Sequence, residues 1–562
     1  MLSIRRLLWI VALTVCISLF FLLINFRDEV REEIKVENEK YVMDPLMEND
    51  IEAGSFPYQF VLVADQEQNM VYENISDILD GWKMPYEVMD EVREYDKNKI
   101  YVFCMDEIME HTELPSVVDY VESGGMVVFA NGISEGNLET YITPLFGISY
   151  KSNKISVNRF RFAEDFLPFQ EEVMTYDGYN ASTWIELREK ATVYVEDEEK
   201  GTPVVYSYPY GKGRSLVING TLMEDKQCSG MFAGLLSNEM KGFAYPILNT
   251  ETVFLDNFPV VTYIDDEACL KYFGRKTDDF VQNVVWPVFQ KAALGNEIKY
   301  TASVLTAGTG DIYFPQLEDA LFYNMGKSAL LYDGELTEAI DFSNPGQFVE
   351  NNLFREKFHE FFPNYQLYSC AVMNGAYSGE ISRMSEKVVI RGYLFGDPDT
   401  MFLCEPKSED GIYYYPVVAD GLDLEKGTLF FTAMQIASKG MMSQRIDINT
   451  LICDEEGKQA WDEAKVQLSD FEERVLKPLR WMDAVTLSET ANNINGIENL
   501  KYTIQYGEEG IVITLSKYRK GQSFMIHSDK EIENAVGAEI MSINHGYYIV
   551  KILEDRVELQ FS

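Results

Sequence analysis

The sequence is short of histidine and of basic residues, and both deficits narrow the functions open to it. Only four histidines occur in 562 residues, at His111, His359, His527 and His545. Because imidazole is a common ligand of zinc-like ions and a frequent general base, this leaves little room for a histidine-based catalytic centre. Lys and Arg number 48 against 91 Asp and Glu, a formal net charge of −43. That charge repels nucleic acid and argues against nucleic-acid binding.

Cysteine is also sparse and scattered. The chain has seven cysteines, with no C-x-x-C pair and no spacing typical of a disulfide framework. This excludes a zinc ribbon and a small disulfide-stapled domain, and it predicts that most of the cysteines are core residues.

The longest apolar run lies at the N-terminus. The run from Leu7 to Phe26 carries no charged side chain. It is long enough to cross a membrane as one helix, and no comparable run follows. The run does not end in the small residues of a signal-peptide cleavage site, so we expect an uncleaved anchor in 1–26. A charged stalk is predicted over 27–54, and we place the bulk of the chain outside the cell membrane.

Residues 55–248 show the pattern of an α/β domain. Phe60 to Ala64, Ile100 to Cys104 and Met126 to Ala130 are apolar runs that suit strands buried on both faces, with helix-length segments between them. Later, Tyr210-Gly211-Lys212-Gly213-Arg214 predicts a hairpin before another strand. The domain resembles the flavodoxin-like, class I glutamine-amidotransferase-like fold. An active relative needs a nucleophilic Cys with a His, and here Cys104 and His111 make a poor match.

Residues 249–495 repeat strands and helices, which predicts a (β/α) barrel. Within them stand L-D-N-F-P (255–259), V-V-W-P-V-F (284–289) and I-K-Y-T (298–301). These motifs resemble the membrane-anchored, polysaccharide-deacetylase-like proteins of Gram-positive Pel-type exopolysaccharide systems, similar to the deacetylase part of PelA. The resemblance spans about 55–500.

The resemblance implies a metal site that the sequence does not complete. Deacetylases of this fold hold a divalent metal with one Asp and two His, beside an aspartate base. Asp256 corresponds to the first acidic motif. The segments at 334–344 and 440–449, where histidines are expected, contain none. We therefore expect no metal and no cofactor, with Asp256 a vestigial or alternative base, and we interpret the barrel as a pseudoenzyme.

A carboxylate-based site stays open as the alternative. Asp256, Asp265, Asp266 and Glu335 are the candidate ligand-binding residues, because carboxylates can hold a hard cation or a polar ligand. Paired carboxylates at barrel strand ends are also what glycoside hydrolysis requires. The alternative function is thus an active carbohydrate-processing enzyme, either a deacetylase or a glycoside hydrolase.

Residues 496–562 alternate short strands with turns, which predicts an antiparallel β-sandwich. Together the patterns predict a multidomain α/β protein with one membrane helix. From the resemblance we expect a role in exopolysaccharide assembly or export, as a scaffold or glycan-binding protein. The expected partners are a polysaccharide, such as a cationic amino-sugar polymer that suits the acidic chain, and an exopolysaccharide synthase complex.

Overall fold

The computed structural model of the protein describes most of the chain from residue 41 onward. The described residues are 41–49, 56, 58–65, 69–132, 142–240, 242–259, 266–305, 319–341, 358–374, 387–394, 404–425, 427–452, 459–507, 510–544 and 546–562. Over these ranges, no helix has the length and apolar character that crossing a membrane requires. The membrane helix predicted for 7–26 lies outside the described residues.

The first domain is built on a nine-stranded mixed sheet, and a separate two-stranded ribbon lies beside it. The sheet has the order β3-β2-β4-β5-β12-β11-β10-β7-β8, parallel from β3 to β12 and antiparallel from β12 onward, and the ribbon is β6-β9. The elements are β1 (Leu46–Glu48), which pairs elsewhere, β2 (Gln59–Val63), α1 (Met70–Gly81), β3 (Tyr86–Met89), β4 (Lys99–Phe103), α2 (Leu114–Glu122), β5 (Met126–Phe129), β6 (Ile148–Ser156), β7 (Arg159–Phe162), β8 (Val173–Thr175), β9 (Ala181–Leu187), β10 (Thr192–Asp197), β11 (Pro203–Tyr210), β12 (Gly213–Ile218) and α3 (Ser229–Glu239).

Alternation along the parallel strands explains why they form a buried layer. In β2, Phe60 and Leu62 face one apolar cluster, whereas Val61 and Val63 face another on the opposite side of the sheet. Successive side chains of a strand point to opposite faces, so an all-apolar strand needs a cover on both sides. The strands predicted at 60–64, 100–104 and 126–130 are confirmed to within a residue. The antiparallel strands β6 to β10 were not predicted. Strand β6 is almost entirely exposed and β8 has only three residues, so neither carries a clear apolar pattern.

The second domain is a curled, mainly parallel sheet surrounded by helices. Its order is β19-β20-β18-β17-β16-β15-β14-β22-β21, with β23 also pairing β14, and only β19 is antiparallel to its neighbour. The elements are β13 (Ala244–Ile247), which pairs elsewhere, β14 (Thr250–Asp256), α4 (Asp266–Phe273), α5 (Thr277–Phe280), α6 (Trp286–Asn296), β15 (Tyr300–Leu305), α7 (Asp319–Leu331), β16 (Glu335–Asp341), β17 (Ser369–Asn374), β18 (Val389–Tyr393), β19 (Lys407–Glu409), β20 (Ile412–Val417), β21 (Ala419–Asp420), α8 (Thr428–Lys439), β22 (Met441–Asp447), α9 (Ile448–Ile452), α10 (Trp461–Phe471), β23 (Asp483–Ala484) and α11 (Leu487–Glu498).

The curl brings the two ends of this sheet together. The chain runs from β20, next to the end strand β19, directly into β21, which pairs with β22 at the other end. At this point Val418 N donates to Ser443 O at 3.1 Å. Helix α11 packs across the end where the strands begin, where Leu487 N donates to Thr301 Oγ1 at 2.9 Å. The opposite end, where the strands finish, is the usual position of functional residues in such folds.

The third domain consists of two antiparallel sheets that enclose a common apolar core. The sheets are β1-β25-β30-β27 with β24 on β25, and β13-β26-β29-β28. The elements are β24 (Lys501–Tyr506), β25 (Gly510–Arg519), β26 (Ser523–His527), β27 (Ile532–Val536), β28 (Ala538–Asn544), β29 (Tyr547–Ile552) and β30 (Arg556–Phe561). Because β1 and β13 come from earlier in the chain, residues 41–49 of the predicted stalk belong to the folded body rather than to a spacer.

Trp82 joins the three domains. Its side chain is 1% exposed, its Nε1 donates to Ser438 O on α8 at 2.8 Å, and its carbonyl accepts from Tyr502 Oη on β24 at 2.8 Å. Nearby, a Cβ at Gly230 of α3 would lie 2.6 Å from Met434 Cα of α8, so only glycine allows this close helix crossing. The first two domains therefore share one continuous core.

Glu251 of β14 gives the fold a pH dependence that can be measured. It is 2% exposed, its Oε1 has no hydrogen-bond partner, and burial raises the pKa of its carboxyl to about 8. Since the folded state then binds more protons than the unfolded state, stability should fall as pH rises from about 4.5 toward 8. We predict that Glu251→Gln leaves the free energy of unfolding unchanged near pH 4 and raises it at pH 8 by on the order of a few kcal/mol.

Denaturant unfolding at several pH values measures this effect. Glu539→Gln on exposed β28 serves as the control and should track the wild type. Parallel stability curves for Glu251→Gln and the wild type from pH 4 to pH 8 would contradict the prediction.

Candidate functional site

The candidate site lies at the end of the curled sheet where the parallel strands finish. Asp256 is the last residue of β14, and β22 runs beside it with Phe254 opposite Arg445 and Asp256 opposite Asp447. Arg391 lies on β18, which pairs with β17 and β20 rather than with β14. The contact between Arg391 and Asp256 therefore crosses the interior of the curl.

Two arginines form ion pairs with the Asp256 carboxylate. Arg391 binds it in a bidentate pair, with Nη1 to Oδ1 at 2.8 Å and Nη2 to Oδ2 at 2.9 Å. Arg445 Nε donates to Oδ2 at 2.5 Å. Asp256 and Arg391 are both 0% exposed, and the Arg391 guanidinium also lies 4.8 Å from the centre of the Phe254 ring. Both carboxylate oxygens are thus engaged in a water-excluded interior.

Charge decides the protonation state of Asp256. Burial opposes its ionisation, but the Arg391 and Arg445 guanidinium groups outweigh burial and hold the pKa of the Asp256 carboxyl well below its usual range. The same contacts raise the pKa of Arg445 against the effect of burial. A carboxylate with so low a proton affinity is a poor general base at neutral pH.

Arg445 extends the ion-pair network outward. Its Nη1 donates to both oxygens of Asp420, at 2.8 and 3.0 Å, and its Nη2 approaches Asp447 at 3.4 Å. Asn257 Nδ2 donates to the Asp447 carboxylate at 2.8 and 2.9 Å. Burial raises the pKa of Asp447, although the Asn257 and Arg445 contacts oppose the rise.

An acidic cleft of about 400 Å³ opens beside this network. Its lining includes Asp420, Asp423, Arg445, Asp447, Thr450, Glu463 and Gln467. Four carboxylates face one guanidinium, so the cleft carries net negative charge. Such a surface attracts a cationic or hydroxyl-rich ligand.

These residues do not fit the divalent metal that a deacetylase fold implies. A metal at Asp256 would have to displace two guanidinium groups and would be repelled by both. Among the residues that the structure describes, no group of three or more His, Cys, Asp or Glu side chains could hold a metal ion.

The structure separates the carboxylates that the sequence suggested as one site. Glu335 begins β16 and accepts from Ser488 N at 2.8 Å, near the start of α11, and its other oxygen accepts from Ser369. Asp266 begins α4, and its Oδ1 accepts from Thr277 N at 3.1 Å. Neither contacts Asp256. Asp265 lies outside the described residues.

The described histidines also lie away from Asp256. His111 Nδ1 is 2.6 Å from Asp90 O, and His527 Nδ1 is 3.0 Å from Ser237 O in the junction with the third domain. His359 is exposed beside Phe358. His545 lies outside the described residues. In the first domain, burial raises the pKa of the Cys104 thiol, which disfavours the nucleophilic thiolate.

Arg391 and Arg445 are the site residues that sequence reasoning missed. Arg391 stands alone in the apolar strand V-I-R-G-Y and is 0% exposed. A charged residue in the middle of a buried strand requires a buried partner of opposite charge. The sequence of this strand could therefore have predicted a buried ion pair at Arg391. The identity of the partner could not be derived, because β14 and β18 are far apart in sequence.

Comparison with known proteins supports the fold more than the chemistry. A family model described as "uncharacterised protein conserved in bacteria" (DUF2194) matches residues 150–331. This covers about a third of the chain. A search of the curated proteins found no match.

Among solved structures, the chain is similar to Agd3, described as a novel carbohydrate deacetylase. The TM-score is 0.52 at 9% identity, over 90% of this chain and 99% of that one. At this identity the likeness concerns the fold alone. A cold-adapted β-galactosidase from Rahnella sp. R3 (TM-score 0.24, 15% identity, 34% of each chain) is too distant to support an argument.

The Asp256 network predicts a stability defect on loss of Arg391. We expect Arg391→Met to lower the free energy of unfolding by about 3–5 kcal/mol, because it removes a buried bidentate partner. Chemical denaturation measures the effect. Asp420→Asn provides the control: its side chain is 52% exposed, so its loss should cost at most about 1 kcal/mol.

The double variant Asp256→Leu, Arg391→Met tests the coupling. It should recover part of the loss, because it leaves no unpaired carboxylate in the interior. Equal, small effects of Arg391→Met and Asp420→Asn would show that the buried pair is not a major determinant of the fold.

Proposed function

We propose that the protein binds polysaccharide on a deacetylase-like fold without hydrolysing it. In this proposal it is an extracytoplasmic protein, anchored by the predicted helix at 7–26, that serves as a scaffold in exopolysaccharide assembly or export. The fold likeness to a carbohydrate deacetylase supports the carbohydrate class. The observation that carries the loss of catalysis is the enclosure of Asp256 by Arg391 and Arg445.

The charges of the two arginines explain why the enclosed Asp256 carboxylate would not catalyse hydrolysis. Amide hydrolysis on this fold requires activated water, and a carboxylate that is already ion-paired with two arginines neither takes a proton nor attracts a cation. In the described ranges, no histidine lies at the Asp256 network to replace it. The arginines supply the positive charge that a metal would have supplied, but a guanidinium does not generate hydroxide.

The acidic cleft beside the Asp256 network supports a polysaccharide with positively charged groups as the ligand. Its carboxylates at Asp420, Asp423, Asp447 and Glu463 suit a polymer with hydroxyl groups and protonated amines, and a partly deacetylated amino-sugar polymer has both. The net charge of −43 favours the same class of partner over an anionic one. Anchoring beside a synthase complex, of the Pel type suggested by the sequence motifs, would place this cleft near newly made polymer.

A second candidate function is a glycoside hydrolase or deacetylase that relies on carboxylates alone. The observation in its favour is Asp447, whose pKa is raised by burial and which lines the cleft at the end of β22. A carboxyl that stays protonated at higher pH suits the general acid of glycoside hydrolysis. Its rotation is restricted by two hydrogen bonds from Asn257.

Binding and turnover distinguish the two candidates. We expect the full-length protein in detergent to co-sediment with partly N-acetylated glucosamine polymer, and to release neither acetate nor reducing ends above the blank. Added zinc should change neither result. Release of acetate or reducing ends by the wild type, abolished in Asp447→Asn and retained in Asp119→Asn, an exposed position on α2, would establish the second candidate.

A further inference from the structure

A second groove lies at the junction of the three domains, away from the Asp256 network. Two cavities of about 710 and 440 Å³ meet there, and both are lined by Asp80 and Lys83. The smaller one is also lined by Leu248, which precedes β14, and by Ile494 of α11. Since Asp256 ends β14, this groove borders the opposite end of the curled sheet. Its continuity across two cavities suits a polymer better than a small molecule.

Aromatic rings line the first part of the groove. Phe56 and Tyr58 are partly exposed there. Phe56 packs edge-on against Tyr502 with ring centres 5.2 Å apart, and Tyr58 lies 5.7 Å from Tyr506. Tyr502 is itself fixed by its hydrogen bond to the carbonyl of Trp82. Phe56 thus packs on a buried, hydrogen-bonded tyrosine, and Tyr58 packs on Tyr506.

The charge of the groove differs from that of the chain as a whole. Its lining holds four lysines and four acids, namely Lys83, Lys226, Lys407, Lys439, Asp77, Asp80, Glu405 and Glu498. Lys226 pairs with Asp77 at 2.8 Å and with Glu405 at 3.6 Å, and Glu405 also binds Lys439 at 2.6 Å. In a chain with a net charge of −43, this balance gives a surface that selects for an uncharged ligand.

Lys83 supplies a donor at the point where the two cavities meet. It lines both of them, and within the described ranges its ammonium makes no ion pair or side-chain hydrogen bond. Asp80 also lines both cavities and accepts from Tyr86 Oη at 3.2 Å. A donor and an acceptor beside partly exposed aromatic rings can hydrogen-bond the hydroxyl and acetamide groups of a sugar, while the rings cover its apolar face.

We propose that this groove binds an uncharged, N-acetylated stretch of a hexosamine polymer, stacked on Tyr58 and hydrogen-bonded by Lys83. The inference rests on the proposed function and adds a second polysaccharide site to it. The acidic cleft at the far end of the curled sheet suits amine-bearing units, whereas the neutral groove suits acetylated ones. The protein would then hold one polymer at two places that differ in charge preference.

Calorimetric titration of the full-length protein with the hexamer of N-acetylglucosamine tests the groove. We expect Tyr58→Ala to weaken binding about tenfold or more and Lys83→Ala to weaken it several-fold. Tyr58→Phe keeps the stacking ring and should bind like the wild type. Tyr150→Ala is the matched control, because Tyr150 is 55% exposed on β6, outside the groove, and its loss should change nothing.

The outcomes separate the two proposals. If the wild type binds neither this hexamer nor the hexamer of glucosamine, the proposed function fails and the groove fails with it. If the wild type binds but Tyr58→Ala and Lys83→Ala match Tyr150→Ala, the groove proposal alone is wrong. Equal loss in Tyr58→Ala and Tyr58→Phe would contradict the stacking role.

Discussion

The ion pair between Asp256 and Arg391 is the constraint on which the rest of the second domain depends. Both side chains are 0% exposed, and their pairing crosses the interior of the curled sheet from β14 to β18. Charges buried in this way are tolerated only when their partners and hydrogen bonds are in place. The sheet must therefore curl far enough to bring these strands together. Arg445 adds a second ion pair to Asp256 and, through its pair with Asp420, links the interior to the surface cleft.

The same ion pair shows that a deacetylase-like fold does not by itself imply deacetylase chemistry. The fold likeness to a carbohydrate deacetylase extends over 90% of the chain, yet the aspartate at the end of the first barrel strand performs an electrostatic task inside the fold. In the proposed function, the guanidinium groups supply the positive charge next to Asp256 and offer no open coordination position of the kind that water activation by a metal requires. A binding role is the one that we propose for this arrangement.

Much of the architecture could be predicted from sequence, but the site could not. Strands such as β2 and β4 are buried on both faces, so their uniform apolar pattern is a strong local signal. The site depends on pairing between residues 135 positions apart, which a local pattern does not encode. Glu335 illustrates this limit: it was a candidate ligand-binding carboxylate together with Asp256, whereas the fold places it at the start of β16, where it accepts from Ser488 N near the start of α11. The same holds for Trp82, whose three-domain role depends on contacts distant in sequence.

Metal binding measured on the purified full-length protein tests the central claim most directly. Titration with cobalt, followed by its visible absorption and by the metal content after dialysis, reports whether Asp256 is available as a ligand. The account predicts no retained cobalt or zinc, and identical behaviour of the wild type and Asp256→Asn. One equivalent of tightly held metal that disappears in Asp256→Asn would contradict it, because the carboxylate would then be free to leave its arginines.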